Sequence, residues 1–237
     1  MRPEACWGIV VVRGESNTVV RGESNTVVRP PPLANLPFSP HLCSMSIRDE
    51  MMSGRLYDAS SGELLNELYR AQEMCQEYNA LKITDFEGRK ALLGKLIGKA
   101  GENLVVNPPF FCDYGSNIEM GDNVFINAYC VILDEAKVTF GSNVFVAPQC
   151  GFYTAGHPLD KELRRQKLEY SLPITIGDDV WIGGMVCVMP GVSIGSGTVI
   201  GGGSVVVDDI PEGVLAAGNP CRVIRKITPE DRDRYIR

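Results

Sequence analysis

His157 is the residue of this 237-residue sequence best suited to proton transfer, and it is one of only two histidines. Gly156 lets the chain turn closely before the imidazole, and Pro158 stiffens the backbone after it, so the ring is held at a defined place. A neutral imidazole can accept a proton near neutral pH, which is the role of a general base. A histidine is more often structural than catalytic, so the role of His157 has to be inferred from the segment around it. The other histidine, His41, falls in a segment with little apolar content.

The segment around His157 interrupts a six-residue repeat of apolar side chains. In the second half of the chain, the repeat occupies Ile176, Ile182, Val188, Ile194, Ile200 and Val206. In the first half, it occupies Met120, Ile126 and Ile132 and then, after a slip of two residues, Phe140, Val146 and Phe152. Residues 153–173, between the two blocks, are largely polar and charged. They predict a loop that protrudes from the repeat and presents His157.

A six-residue period indicates a coil of short strands. Six steps of an α-helix, about 100° each, would rotate successive repeats away from one face. Three strands per turn, each stacking one inward residue on its equivalent in the next turn, satisfy the period. We therefore predict a mainly β fold, a left-handed parallel β-helix of hexapeptide repeats with an N-terminal helical segment. Glycine follows four repeat positions directly, and we expect these residues to provide the backbone conformations of the corners. They are Gly177, Gly183, Gly195 and Gly201.

The chain divides into four parts. The start carries VVRGESNT twice in tandem, at residues 11–18 and 19–26, in a composition too polar to fold alone. Helices are predicted further on, because a Ser/Thr-x-x-Glu capping pattern at Ser60 and at Thr84 precedes helical apolar spacing. The expected inward faces are Leu64, Leu68, Ala71, Cys75 and Tyr78 in the first helix, and Phe86, Leu93 and Ile97 in the second. The predicted parts are a disordered extension at 1–44, the N-terminal helical segment at 45–105, the β-helix domain at 106–226 with its protruding loop 153–173, and a C-terminal tail at 227–237.

Composition excludes several classes of protein. The net charge is −6 and no long run of Lys or Arg occurs, which argues against nucleic acid as a partner. No apolar stretch approaches the roughly 20 residues that span a bilayer, so no membrane partner is expected. The eight cysteines are scattered without a Cys-x-x-Cys pair, which disfavours a zinc cage or a redox motif. Buried free thiols in a reducing compartment, and hence a cytoplasmic location, are expected instead.

Five sequence motifs together resemble one family. They are Asp113-Tyr114-Gly115 with Asn117-Ile118, Gly121-Asp122-Asn123 with Asn127, Gly156-His157-Pro158, PITIGDDVWIG at residues 173–183, and AGNPCRVI at residues 217–224. From Ser46 to Lys226 the chain resembles the maltose and galactoside O-acetyltransferases, a family of hexapeptide-repeat acyltransferases. The resemblance implies acetyl-CoA as co-substrate, no bound cofactor or metal, and a sugar acceptor such as maltose, glucose or a galactoside. It also implies a homotrimer with active sites in grooves between neighbouring coils, and direct transfer with His157 as the general base.

The same resemblance assigns the binding residues. The acceptor-binding positions are Asp113, Asn127, Glu135 and Asp58, and the acetyl-CoA-binding positions are Gly184, Gly202, Val207, Asp208, Arg222 and Arg225. A carboxylate with an amide suits sugar hydroxyls, and arginine suits phosphate. Two alternatives stay open: Asn127 could belong to an amide ladder in the coil, and Gly184 could be only a corner residue. Many relatives carry Thr-Lys where this chain has Val207 and Asp208, so the CoA phosphates would need a shifted contact, through Arg225 or Lys226.

Four other functions compete with this one. A γ-class carbonic anhydrase needs three histidines for its metal, and the repeat region has one. A nucleotidyltransferase needs a phosphate-cradling loop in a preceding α/β domain, for which residues 46–105 are too short and too helical. An acetyltransferase for a non-sugar acceptor and a non-catalytic β-helix scaffold are the remaining alternatives.

Overall fold

The computed structural model describes residues 45–233. The predicted extension at 1–44, and residues 234–237 of the predicted tail, lie outside the described residues. The described helices are α1 (Ile47–Met52), α2 (Gly62–Ala80), α3 (Phe86–Leu96), α4 (Lys161–Arg165) and α5 (Glu230–Asp233). The described strands are β1 (Tyr57–Asp58), β2 (Lys99–Ala100), β3 (Val105–Val106), β4 (Phe110–Cys112), β5 (Ile118–Met120), β6 (Phe125–Ile126), β7 (Cys130–Leu133), β8 (Val138–Phe140), β9 (Phe145–Val146), β10 (Gly151–Tyr153), β11 (Ala155–Gly156), β12 (Leu168–Ser171), β13 (Ile174–Ile176), β14 (Trp181–Ile182), β15 (Cys187–Val188), β16 (Ser193–Ile194), β17 (Val199–Ile200), β18 (Val205–Val206), β19 (Val214–Gly218) and β20 (Cys221–Lys226).

Short strands form the three faces of a prism. The first face contains β2, β5, β8, β13 and β16; the second contains β3, β6, β9, β14, β17, β19 and β20; the third contains β4, β7, β10, β15 and β18. Neighbouring strands on each face are parallel, except that β20 turns back antiparallel to β19. Each coil contributes one strand to each face, so five complete coils stack on one another. This arrangement confirms the predicted parallel β-helix of hexapeptide repeats with helices before it.

The repeat positions form the interior of the prism. Every predicted repeat residue from Met120 to Val206 is no more than 2% exposed. The strand register places Ile176 on Ile194 and Ile182 on Ile200, so equivalent side chains stack from coil to coil. Burying one such aliphatic side chain stabilises the fold by about 1.5–3 kcal/mol, and the stack is continuous through the coil.

Successive coils differ in length, and the difference occurs at one edge of the prism. Lys99 pairs with Glu119, a spacing of 20 residues, whereas Thr175 pairs with Ser193, a spacing of 18. The additional residues of the longer coils lie where the chain passes from the third face to the first. We call this edge, made of residues 113–117, 134–137 and 154–173, the wide corner. The two-residue slip in the sequence repeat is this widening, and the long loop leaves the prism at the same corner.

The glycines after the repeat positions differ from the prediction. None of the four has a positive φ. A Cβ on Gly183 would instead lie 2.6 Å from the backbone nitrogen of Gly202 in the next coil, so these glycines permit close approach of adjacent coils. Other residues adopt the left-handed corner conformation. Between the first and second faces they are Asn103, Asn123, Asn143 and Asp179, followed by Gly197 and Gly213.

The predicted inward faces of the N-terminal helices are largely buried, including Leu93 and Ile97, whereas Leu68 is only half-buried. Leu64, Ala71, Cys75 and Tyr78 of the predicted α2 face are buried. Phe86 of α3 is 72% exposed, contrary to the prediction. Arg89 takes the inward position because its guanidinium donates to the Tyr78 hydroxyl and to the Val106 carbonyl. No helix among residues 45–233 is both long and apolar enough to cross a lipid bilayer.

Local starts and boundaries also differ from the predicted ones. Ser61 precedes α2 without a side-chain cap, and Asp85 caps α3 by accepting from the Gly88 backbone N–H, because Thr84 lies one residue too early. The coil begins at β2, before the predicted boundary at residue 106. The sequence analysis missed α1, which starts with a capping box between Ser46 and Asp49.

The protruding loop is tied to the N-terminal segment by a small antiparallel sheet. Strands β11 and β12 form a hairpin that carries α4, and β1 pairs with the free edge of β12. The buried Ser171 hydroxyl of β12 donates to the Met51 carbonyl of α1 at 2.5 Å. The helical segment therefore fixes the loop against the wide corner.

Candidate active site

The hairpin at the wide corner brings His157 opposite Glu169. Gly156 pairs with Tyr170 across β11 and β12, so the next residue along the chain, His157, faces Glu169. His157 Nε2 lies 3.8 Å from Glu169 Oε1, which is too far for a hydrogen bond but close enough for an attraction between charges when the imidazole is protonated. The imidazole is 24% exposed, so a substrate can reach it.

Tyr57 holds the other oxygen of Glu169. Its buried hydroxyl donates to Glu169 Oε2 at 2.9 Å. Burial raises the pKa of Tyr57, so the phenol keeps its proton and remains a donor. Burial also raises the pKa of the Glu169 carboxyl above its usual range, while the Tyr57 hydrogen bond and the nearby His157 oppose that rise. The carboxyl group is therefore fixed in position and responsive to the charge of the imidazole.

Asp113 and Glu135 form a carboxyl pair in the widened parts of the first two coils. The two carboxyl groups are close enough to perturb each other's pKa, which favours a proton on one of them. Burial and the charge of Asp113 raise the pKa of Glu135 well above its usual range, so Glu135 is the protonated partner and donates. Burial raises the pKa of Asp113, and the side chains of Glu135 and Gln72 oppose that rise. The pair presents both an acceptor and a donor to a polar ligand.

Asp134 shapes the backbone that carries this pair. Its side chain is fully buried, and its two oxygens accept from the backbone N–H groups of Tyr114 at 2.8 Å and Asn117 at 3.2 Å. The amide of Asn117 returns a hydrogen bond to the Asp134 carbonyl. This exchange holds the widened turns of adjacent coils together and so positions Asp113.

Asp58 lies beside this cluster but is oriented by a local turn. It follows Tyr57 in β1 and is exposed, and its Oδ1 accepts from Ser60 N at 2.9 Å and Ser60 Oγ at 2.6 Å. These hydrogen bonds lower the pKa of Asp58. Of the four predicted acceptor residues, the structure thus brings Asp113 and Glu135 together near His157, with Asp58 at the margin.

Asn127 and the predicted CoA glycines lie at a different edge. The edge between the second and third faces, made of residues 127–129, 183–185, 201–203 and 217–220, is called here the glycine corner. Asn127 is half-buried, and its Oδ1 accepts from the Ala128 backbone N–H at 2.8 Å. It is not part of an amide ladder, because that ladder runs along the opposite end of the second face. Its members are Asn103, Asn123, Asn143 and Asp179.

The glycine corner exposes bare backbone. A Cβ at Gly203 would meet no atom within 4 Å, and Gly202 beside it is exposed. Within residues 45–233, the Gly184 backbone N–H bonds to no acceptor, whereas those of Gly183 and Met185 bond to neighbouring coils at 2.8 and 3.0 Å. An extended ligand can therefore lie along this corner, with a backbone donor available at Gly184.

The predicted phosphate-binding residues lie at the last coil. Val207 and Asp208 follow β18, and Arg222 and Arg225 belong to β20. Arg222 pairs with Ala217, which continues the glycine corner one coil beyond Gly201. The Arg222 Nη1 lies 3.0 Å from Asp208 Oδ2. The predicted phosphate ligand Arg222 therefore already contacts a carboxylate. Arg225, one of the two residues predicted to give a shifted contact, also pairs with a carboxylate, that of Asp231.

The sequence analysis missed Glu169 and Asp134. One signal for Glu169 was available, because Glu169 and Ser171 are two residues apart in the loop, as the buried positions of a strand would be. Asp134 gave no such signal, since its partners are backbone N–H groups in another coil. The roles of the predicted site residues stay predictions.

Comparison with known proteins gives consistent results. The maltose acetyltransferase hexapeptide capping motif matches residues 50–101, and the six-repeat bacterial transferase hexapeptide matches residues 173–208. The galactoside O-acetyltransferase of Escherichia coli K12 is 40% identical over 194 residues, covering 82% of this chain and 96% of the relative.

Two solved structures share the fold over most of the chain. A maltose O-acetyltransferase from Clostridium difficile 630 has a TM-score of 0.77 at 43% identity, covering 78% of this chain and 98% of that one. A galactoside acetyltransferase in complex with coenzyme A also has a TM-score of 0.77, at 41% identity, covering 80% and 94%. Since fold, repeat and helical segment all agree, this chain belongs to the maltose and galactoside O-acetyltransferase family of hexapeptide-repeat acyltransferases.

Proposed function

We propose that this acyltransferase moves an acetyl group from acetyl-CoA directly to a hydroxyl of a sugar such as maltose, glucose or a galactoside. The observation that carries the proposal is the position of His157, which is accessible at the wide corner and lies beside a fixed carboxylate. The family relationship supports the acyl chemistry, and the carboxyl pair of Asp113 and Glu135 suits an acceptor with several hydroxyls. Asp58 would contact the acceptor at the margin of the site.

The proposed reaction needs one proton acceptor and no protein nucleophile. His157 takes the proton of the acceptor hydroxyl as its oxygen attacks the thioester carbonyl, and a tetrahedral oxyanion forms. The Gly184 N–H stabilises that oxyanion. When the carbon–sulfur bond breaks, the imidazolium returns its proton to the CoA thiolate. Glu169 stabilises the imidazolium in between, because its carboxylate lies 3.8 Å from Nε2.

The proposed site requires two copies of the chain. His157 and Gly184 belong to different corners of one prism, and so do Asp113 and Asn127. In a ring of identical subunits every interface joins two different surfaces, so the glycine corner of one copy can lie beside the wide corner of the next. We propose the homotrimer implied by the family resemblance.

An exposed apolar surface supports this assembly. The outward residues of the second face align from coil to coil in a stripe that we call the apolar stripe: Val105, Phe125, Phe145, Trp181, Val199 and Leu215. Phe145 is 55% exposed and Trp181 is 54% exposed. Exposed aromatic residues in a continuous row are typical of a surface that another protein covers.

A thiol-release assay with the intact protein tests the function. With acetyl-CoA as donor, the rates with maltose, glucose and a galactoside should be compared with the rates for a panel of non-sugar acceptors. His157→Ala should lower kcat by about 10²- to 10⁴-fold, the usual contribution of a general base. Near wild-type turnover in that variant would contradict the assignment, and no turnover of any acceptor by the wild-type protein would favour a scaffold.

The expected cytoplasmic location stays a prediction. It is supported by the cysteines at 75, 112, 130, 150, 187 and 221, which are all free thiols in the described part of the chain.

A further inference from the structure

Arg222, at the far end of the glycine corner, forms an ion pair with the carboxylate of Asp208. The Arg222 and Asp208 side chains are 60% and 50% exposed and lie 3.0 Å apart. Arg222 stands opposite Ala217, which aligns with Gly183 and Gly201 of the preceding coils, one residue before Gly184 and Gly202. A carrier that lies along the corner with its thioester near Gly184 would therefore bring its distal end toward Arg222.

The second arginine of β20 has the same kind of partner. Arg225 donates through both terminal nitrogens to the two oxygens of Asp231, each at 2.6 Å. The same carboxylate accepts from the Thr228 backbone N–H at 3.0 Å, which fixes it in the turn before α5. Asp231 is thus held by its own backbone turn, whereas Asp208 is the more exposed carboxylate and directly follows β18.

An exposed ion pair such as Arg222–Asp208 is weak, but it affects how a phosphate group binds beside it. Such pairs contribute about 0–1 kcal/mol, so a phosphate can compete for Arg222. The displaced Asp208 carboxylate stays close by, and its repulsion reduces the gain from the phosphate. The pantetheine part of a carrier is uncharged and does not experience this repulsion.

We propose that Asp208 is a specificity-determining residue that weakens recognition of the phosphorylated end of the acyl carrier by engaging Arg222. Binding then depends mainly on the pantetheine arm along Gly184 and Gly202, and the enzyme discriminates little between carriers that differ only in their phosphates. This inference rests on the proposed use of acetyl-CoA.

Calorimetric titration of the full chain with CoA, dephospho-CoA and pantetheine tests the proposal without any acceptor. Asp208→Asn should tighten CoA binding by about two- to fivefold at low salt, the range of an exposed ion pair, and leave pantetheine binding unchanged. The gain should shrink at high ionic strength. In an Arg222→Ala background the Asp208→Asn change should have a smaller effect, because only the repulsion between Asp208 and the phosphate remains to be relieved.

Glu119→Gln is the matched control, since Glu119 forms a 2.7 Å exposed pair with Lys137 on the first face, away from the glycine corner. Equal CoA affinity in the wild type and Asp208→Asn would overturn the proposal, and so would an equal gain for pantetheine. Turnover assays separate the two claims. CoA binding that responds to Asp208→Asn in a protein that acetylates no acceptor would contradict the proposed function and support this inference.

Discussion

Glu169 is the residue whose charge state connects the hairpin to the imidazole. Burial favours its neutral form, whereas the Tyr57 hydrogen bond and the neighbouring His157 favour the carboxylate. The outcome is a pKa above the usual glutamate range, so part of the acidic limb of the pH–rate profile should come from Glu169. Protonation of Glu169 removes the negative charge that stabilises the imidazolium, so activity should fall as the pH decreases through this pKa.

Replacing Tyr57 by Phe isolates this effect. The variant loses the 2.9 Å hydrogen bond to Glu169. In the wild type that bond lowers the pKa of the Glu169 carboxyl, so its loss should raise this pKa further. We expect the acidic limb of the kcat profile to move up by about one pH unit, the equivalent of a hydrogen bond worth roughly 1.5 kcal/mol. Tyr69→Phe, at an exposed hydroxyl of α2, should leave the limb in place. A limb that stays at the wild-type pH in Tyr57→Phe would show that Glu169 does not titrate in the profile.

The raised pKa of Glu135 predicts how the stability of the fold depends on pH. Its folded-state pKa is raised by burial and by Asp113, so the folded protein holds this proton more tightly than the unfolded chain. The stabilisation that results is fully present below the ordinary glutamate pKa. It is lost as the pH rises through the pKa of Glu135 in the folded protein. The raised pKa values of Asp113 and Glu169 act in the same direction.

Glu135→Gln removes this titration but retains a donor toward Asp113. Unfolding by denaturant at several pH values should show a smaller loss of stability toward alkaline pH than in the wild type. Glu162→Gln, which alters an exposed pair with Arg165, provides the comparison and should follow the wild type. Parallel curves for Glu135→Gln and the wild type would contradict the assignment of the proton to Glu135.

At the scale of elements, close approach between coils is what the repeat glycines provide. A Cβ on Gly183 would lie 2.6 Å from Gly202 N and 2.9 Å from Ile200 O, and backbone atoms cannot rotate away. We expect Gly183→Ala to destabilise the fold by about 1–3 kcal/mol through overpacking. Gly94→Ala, in α3 with no atom within 4 Å of the new Cβ, should stabilise it by about 0.5–1 kcal/mol. Thermal unfolding of the two variants measures whether each change raises or lowers the melting temperature. Equal melting temperatures would contradict the close-approach explanation.

The sequence predicts the elements whose side chains repeat, and it predicts less of those that depend on a single distant contact. The six-residue period identifies the inward positions from Met120 to Val206 because each one meets its own equivalent. Periodicity identifies the buried apolar positions Leu93 and Ile97 of the second helix but misses Arg89. Arg89 is buried through its bonds to Tyr78 and Val106 in other elements. Likewise, His157 is found as a lone histidine in a broken repeat, whereas its partner Glu169 is placed by a hairpin inside the loop.

At the scale of the whole molecule, one prism separates the residues of the proposed site. His157 and Asp113 lie at the wide corner, and Asn127 and Gly184 lie at the glycine corner across the third face. The apolar stripe on the second face gives an energetic reason for copies to associate, because exposed Phe145 and Trp181 become buried when another subunit covers them. Activity should therefore belong to the assembly.

Mixing two inactive variants tests whether the site is shared between subunits. His157→Ala and Asn127→Ala should each lose most activity alone. After equimolar mixing under subunit exchange, an interface carries both wild-type residues when the first copy supplies His157 and its neighbour supplies Asn127, so activity should return to roughly a quarter of the wild-type value. The matched control combines His157→Ala with Asp113→Asn. These residues lie at the same corner of one chain, so no exchanged site regains both and activity should stay low. Recovery in neither mixture, with exchange confirmed by mass spectrometry, would mean that Asn127 and His157 do not act in one shared site.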